Sequence, residues 1–400
     1  MVLSVGALAP SVRIQTIQML TNAGGFASSL FVPILLRQEM GADDYTVGLI
    51  VSLFGAATFM SQYMFGRAAD NRGKRLFLLA GLVISAAAVA LQGLARDVFQ
   101  LALARFMVGL ACGIYLPALL AYTYISKQQM GKSVSYGSLG WGLGTFVAGV
   151  IAAYWAVFLA SGVMFFLAFL IALGLPPIKD EKLHNVPLFP KAIIKKNLPI
   201  YSSLLIRHAG ASAIWATLPI YISQMGASNL DIGIIYACNA LTQFFVMYNL
   251  DKMDSGRVYL IGLVLSAFTF VAYGLVERTH NYWYFVVPQM MIAFSWSFMY
   301  VGALRFVAER NAEVATSTGH IGAVIALAGI FGPLIGGFVS GWAGNYTTMM
   351  FLSAGITVVA VGIFMLQKNN GVNGQQGRGS RDGPGNREQG AGDGTDNGNS

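Results

Sequence analysis

The residues able to do chemistry in this chain are few, and they lie inside long apolar stretches. Arg105, Arg207 and His208, with Asn22, Asn239, Gln243 and Gln289, are polar points among aliphatic and aromatic side chains. A charged group placed at the centre of a bilayer-spanning helix costs at least about 2.5–3.5 kcal/mol, so each arginine needs a partner or a function. Arg207, Ala211 and Trp215 recur at helical spacing, as do Asn239 with Gln243, and Gln289 with Trp296 and Tyr300. The expected product is a binding pocket with aromatic walls and with Asn22, Arg105, Arg207, Asn239 and Gln243 as its polar points. His208 could exchange a proton near neutral pH. Nothing points to catalysis. No nucleophile stands beside a base, His184, His208, His280 and His320 are scattered, and Cys112 and Cys238 lack metal-ligand spacing. No phosphate-cradling glycine loop is present, so neither a cofactor nor a metal is expected.

The elements that must position these residues are membrane helices. Of the 400 residues 56% are hydrophobic and only 10% charged, against roughly 25% charged in an ordinary soluble domain. Stretches of the roughly 20 apolar residues that a bilayer span needs recur at 15–37, 46–66, 76–95, 98–123, 134–155 and 157–175, and again at 199–223, 230–250, 257–276, 282–307, 317–341 and 346–367. About twelve transmembrane helices in two six-helix bundles follow: 1–175, a central loop 176–198, 199–367, and a polar, Gly-rich tail 368–400 expected to be disordered and cytoplasmic. With the N-terminus inside, twenty of the 25 lysines and arginines fall in cytoplasmic segments and three, Arg37, Arg96 and Arg278, in outer loops. That asymmetry accounts for the net charge of +8 without nucleic acid. Met1 to Pro10 has no basic start, so a cleaved signal peptide is not expected.

The halves repeat. Met40-Gly41-Ala42 and Val47-Gly48-Leu49-Ile50 return 185 residues later as Met225-Gly226-Ala227 and Ile232-Gly233-Ile234-Ile235, and Asn22 then corresponds to Arg207. Small residues recur every fourth position at Gly140, Gly144 and Ala148, and at Ala328, Gly332 and Gly336. The latter run includes Gly332-Pro333 and Gly336-Gly337. Such stripes let helix backbones approach closely, which is the role expected of them.

The loop after the second stretch reads Gly66-Arg67-Ala68-Ala69-Asp70-Asn71-Arg72-Gly73-Lys74-Arg75. In spacing and position it resembles the signature of the major facilitator superfamily. The run Arg105, Gly109, Gly113 resembles that family's motif in the fourth span. The resemblance implies an all-α transporter fold of two pseudo-symmetric six-helix bundles, with spans one, four, seven and ten lining the cavity. It also implies a cytoplasmic latch made by Gly66, Asp70, Gly73 and Lys74. The second-half counterpart, Asp251-Lys252-Met253-Asp254-Ser255-Gly256-Arg257, departs from that spacing, and a symmetric latch is not expected there. The run Gly332-Pro333 with Gly336-Gly337 resembles a motif that antiporters of the family carry in span five, where this chain has Thr145 in place of the proline.

The leading functional expectation is a secondary active transporter of small organic solutes working by alternating access. All 17 carboxylates lie outside the middle of any span, so the two arginines have no intramembrane counter-charge and favour an anionic or amphipathic substrate. The alternative is a broad, multidrug-type exporter of hydrophobic compounds in which Arg207 is structural. A remoter one is a non-transporting membrane sensor or scaffold. The expected partners are a small-molecule substrate, membrane lipid and a coupling proton or other ion. The chain is expected to be a monomer, multi-pass in a prokaryotic cell membrane, with both termini cytoplasmic.

Overall fold

The computed structural model describes residues 9–30, 32, 35–36, 39–42, 44–151, 153–178, 184–343 and 345–379. The N-terminal residues 1–8, linker residues 179–183 and the tail beyond 379 lie outside that set.

Among the described residues the chain folds into twelve α-helices without strands. The first six are α1 (Pro10–Leu30), α2 (Asp44–Arg72), α3 (Lys74–Leu91), α4 (Val98–Ile125), α5 (Met130–Ile151) and α6 (Tyr154–Leu173). The second six are α7 (Lys191–Gln224), α8 (Asn229–Tyr248), α9 (Ser255–Val276), α10 (Val286–Arg310), α11 (Val314–Ala343) and α12 (Thr347–Gly379). Eight of them, α2, α3, α4, α6, α9, α10, α11 and α12, contain windows long and apolar enough to cross a membrane. The other four, α1, α5, α7 and α8, supply many of the polar candidates. Helix boundaries depart from the apolar stretches where backbone bonding outruns hydropathy. α7 begins at Lys191, ahead of the stretch at 199, and α12 runs on to Gly379, past its apolar end.

Packing repeats from half to half. In the first, α1 packs on α5 and α6, α2 on α4, and α3 on α4 and α6. In the second, α7 packs on α11 and α12, α8 on α10, and α9 on α10 and α12. Adding six to each helix number converts one set into the other. The same rule relates the contacts between halves, where α2 meets α11 and α8 meets α5. Close approach within each half rests on the small-residue stripes. A Cβ on Gly332 would lie 2.6 Å from the Ala209 carbonyl oxygen, and one on Gly336 2.6 Å from that of Ala213, so α11 touches the α7 backbone directly. Gly140 and Gly144 of α5 meet the Met19 and Ala23 carbonyls of α1 in the same way. Large apolar side chains such as Phe99, Phe146, Phe338 and Trp342 point outward, as the lipid-facing surface of a multi-pass membrane protein requires.

Candidate functional site

Two seams join the halves. Along α2, the side chains of Thr58, Gln62 and Asp70, with Gly66 between, share one stripe at four-residue intervals. Asp70 ends it, fully buried, and its carboxylate reaches the start of α11. Oδ2 accepts from Thr316 N–H at 2.7 Å and from the Thr316 hydroxyl at 2.7 Å, and Oδ1 accepts from Ala315 N–H at 3.3 Å. Lys74, equally buried, pairs with Oδ1 at 3.2 Å. The first N–H groups of a helix have no partner within it and carry partial positive charge, so a carboxylate placed there completes them. Gly66 permits the approach, since a Cβ on it would lie 2.6 Å from the Ala315 carbonyl oxygen. Gly73, at φ +104°, turns the chain from α2 into α3 in a conformation costly for any other residue.

The second seam is built alike, against expectation. Asp251, just past the end of α8, accepts from Gly131 N–H at 2.9 Å and Lys132 N–H at 3.0 Å, the first turn of α5. A cap requires one carboxylate level with the free N–H groups; the spacing of the glycine and basic residues that follow it is immaterial, so the altered motif still caps. Here the permissive glycine has changed sides. A Cβ on Gly131 of α5 would lie 2.6 Å from the Met247 carbonyl oxygen of α8. Above the cap, Gln243 accepts from the Ser138 hydroxyl of α5 at 3.2 Å and donates to Asn239 at 2.7 Å, and Asn239 donates to Gln289 of α10 at 2.7 Å. Sequence reasoning missed Gln62, whose backbone and side chain stand against Gly319 and Gly322 of α11, Ser138 and the capping role of Asp251. One signal was present: Gln62 stands eight residues before Asp70, and Gln243 eight before Asp251.

The linker lies on the first seam. Asn71 Oδ1 accepts from Val186 N–H at 2.8 Å, Arg67 Nε donates to the Val186 carbonyl at 2.5 Å, and Tyr63 donates to that of Leu188 at 3.0 Å. The Tyr63 ring also stands 4.9 Å from that of His320 in α11.

Trp215, Trp296 and Tyr300 lie close together, and His208 joins them. His208 and Trp215 of α7 face Trp296 of α10 at 5.1 and 6.3 Å between ring centroids, and Trp296 stacks on Tyr300 at 5.1 Å. Trp296 and Tyr300 belong to one apolar cluster with Leu116, Leu120 and Tyr124 of α4, so this wall stands where the halves meet.

Of the polar points only Arg207 touches it, through His208 at 3.5 Å and the Trp296 ring. Arg207 is fully buried behind the wall. Its Nε donates to Ser266 of α9 at 2.8 Å, and its guanidinium lies 5.2 Å from the Phe270 ring and 5.8 Å from Trp296. Arg105 lies within the first bundle, near Ser29 and Gln92 at 3.5 and 3.4 Å and 4.2 Å from the Phe54 ring. Asn22 donates to the Gln18 carbonyl and abuts Gly137 of α5. Asn239 and Gln243 belong to the second seam. Apart from Asn239 and Gln243, which bond to each other, these residues share no described partner. The physical reason is desolvation: a cation inside a helix bundle is held by hydroxyls and ring faces of its own bundle.

The sequence model of the Major Facilitator Superfamily matches residues 16–238 and 200–386. The quinolone resistance protein NorA of Staphylococcus aureus (strain COL) is 22% identical over 370 residues, 85% of this chain and 92% of the relative. The multidrug resistance protein MdtG of Klebsiella pneumoniae (strain 342) is 23% identical over 291 residues, 63% of this chain and 69% of the relative. Among solved structures, the human organic anion transporter MFSD10 (TETRAN) superposes with a TM-score of 0.66 at 16% identity, covering 89% of this chain and all of that one. A mutant of the nucleoside transporter NupG gives 0.62 at 14% identity, covering 90% of this chain. The chain belongs to the major facilitator superfamily, and it is a membrane transporter of that family.

Proposed function

We propose that this transporter is a secondary active carrier of amphipathic organic solutes, working by alternating access. The observation that carries the reading is the pair of inter-half caps, Asp70 on α11 and Asp251 on α5. Both are polar contacts between bundles, at the same end of the molecule, and both can be undone without unfolding either bundle. The excess of lysine and arginine at that end supports placing it, with both termini, in the cytoplasm. In this reading the caps hold the cytoplasmic side shut and release it when the halves rock. Gly66, Asp70, Gly73 and Lys74 serve as one latch, and Asp251 with Gly131 as the other. The carrier works as a monomer in the lipid of a prokaryotic cell membrane, without a catalytic step, and draws on a gradient of protons or another ion.

The wall of His208, Trp215, Trp296 and Tyr300 is where solute would pack, because it stands at the junction of the halves. The names of the relatives NorA and MdtG, a quinolone and a multidrug resistance protein, support a hydrophobic or amphipathic range and export as its direction. A second reading, transport of organic anions, is favoured by Arg105 and Arg207, which have no carboxylate among their described partners.

One experiment separates them: transport by the purified protein in proteoliposomes, with a thermal-shift screen against organic anions, lipophilic cations and neutral solutes. The first reading expects lipophilic compounds to stabilise and compete. It also expects Trp296→Ala to abolish transport and a folded Arg207→Ala protein to keep it. Loss of transport in Arg207→Ala, with inhibition by organic anions alone, would establish the second. Insensitivity of transport to collapse of the proton gradient would remove the proton as coupling ion.

A further inference from the structure

Above the second cap runs a chain of buried polar side chains. Ser138, Gln243, Asn239 and Gln289 are all buried, from 1% to 7% exposed. Their bonds run head to tail: the Ser138 hydroxyl to the Gln243 carbonyl, the Gln243 amide to the Asn239 carbonyl, and the Asn239 amide to the Gln289 carbonyl. Bonds arranged in this way polarise one another in a low dielectric, so each is strongest when the others are made.

The ends of the chain lie in different parts of the transporter. Ser138 belongs to α5 of the first half, about 12 Å up from its capped start at 1.5 Å per residue. Gln289 is near the beginning of α10, whereas Arg305, near its other end, donates to the Leu250 and Met253 carbonyls beside the cap. Gln289, paired with Asn239 at the middle of α8, therefore lies deep in the carrier, between the cap and the opposite end where Tyr282 meets Asp231, and is separated from Arg305 by about 24 Å of α10. Met247, one turn below Gln243, carries the stripe on to Asp251: its backbone oxygen meets Gly131, and its sulfur lies 3.4 Å from the Ser138 hydroxyl.

We infer that Gln289, Asn239, Gln243 and Ser138 form a relay that couples the packing of α10 on α8 in the middle of the carrier to the α5–α8 cap at one end. Parting α5 from α8 breaks the Ser138–Gln243 bond and leaves a buried carbonyl without its donor, which is costly unless the chain re-pairs. Re-pairing turns the Gln243 and Asn239 amides and frees Gln289, loosening α10 from α8 in the middle of the carrier. The cap and the middle of the carrier then do not change independently. These residues position the cap and need not touch solute. The inference rests on the alternating-access reading.

The test uses the full chain in lipid nanodiscs on a Cys112→Ser, Cys238→Ser background. Spin labels at Lys127→Cys and Met253→Cys, one in each half beside the cap, report the ratio of open to capped molecules. Ser138→Ala and Gln289→Met are each expected to raise that ratio three- to tenfold. The double variant should raise it no further than the larger single, and Ser138→Thr, which keeps the hydroxyl, should restore it. Asn239→Leu interrupts the chain at its middle and should match the singles, which covers a Gln289→Met protein that fails to fold. Multiplying effects in the double variant, or no change on losing the amide of Gln289 or Asn239, would overturn the relay. A single distance population in the wild type under every solute condition would instead sink the alternating-access reading, and the relay with it.

Discussion

The α2–α11 and α5–α8 seams do the same job with different chemistry. In the first, binding is concentrated at the mouth: a fully buried carboxylate takes two N–H groups, a hydroxyl and a buried ammonium. In the second, Asp251 is only half-buried and takes two N–H groups, and the remaining polar contact is spread upward through Gln243 and Asn239. Duplication thus preserved the geometry of the contact, a carboxylate on a helix start, and let its surroundings diverge. A buried ion pair is all-or-none, because removing one member strands the other, whereas a half-exposed cap falls back on water.

The largest effect should follow from removing the more concentrated contact. Asp70→Ala strips the carboxylate from Lys74 and from α11, at a cost of about 3–5 kcal/mol. It should lower the melting temperature and nearly abolish transport in proteoliposomes. If Asp70→Ala and Asp251→Ala prove equally harmful, the contrast between the seams is wrong.

Next come the permissive glycines. Gly66→Val and Gly131→Val each push a side chain against a backbone oxygen of the other half, for about 1–3 kcal/mol of strain confined to the capped state. Distance measurements across each seam should show both variants shifted toward the open form by similar factors, since this feature is shared even though it has changed sides. A shift in one variant alone would show that the exchange of glycine is not equivalent.

Asp251→Ala should cost about 1 kcal/mol, the usual worth of a helix cap, and leave part of the transport activity. The smallest effect is expected from Arg67→Ala, which removes one hydrogen bond to the linker at the low end of about 0.5–1.5 kcal/mol. Limited proteolysis should cut the linker a few-fold faster while transport is little changed. A large loss of transport would make the linker part of the first latch.

Much of the architecture was legible because the bilayer acts on composition. A span must be apolar over its whole length and its flanking cations must stay inside, so hydropathy and the placement of lysine and arginine reveal twelve helices without any packing. The residues of the first cap stand out for a similar reason, as they are contiguous in a ten-residue motif. The second was hidden. Asp251 caps α5 with a carboxylate alone, and only Gln243, two turns earlier, repeats a partner seen before Asp70.

Of the residues named for a pocket, Trp215, Trp296 and Tyr300 pack together, whereas Asn22, Arg105 and Arg207 are held by separate partners. Trp215 and Trp296 lie on faces that periodicity marks, whereas His208, named as a titratable group, joins them only through the packing of α7 on α10. Periodicity places Arg207 on a face but does not say whether that face meets a cavity, a neighbouring helix or lipid.

What the sequence by itself determined is therefore what depends on distance along the chain: span count, repeat, small-residue stripes, and a capping motif within ten residues. What only the tertiary structure decided is what depends on juxtaposition across it. Examples are Asp251 on α5, the amide chain from Ser138 to Gln289, and the burial of Arg207 against Ser266 and Phe270. A buried polar group takes its partner from whatever helix lies beside it, and that neighbour is set by the packing of the whole bundle.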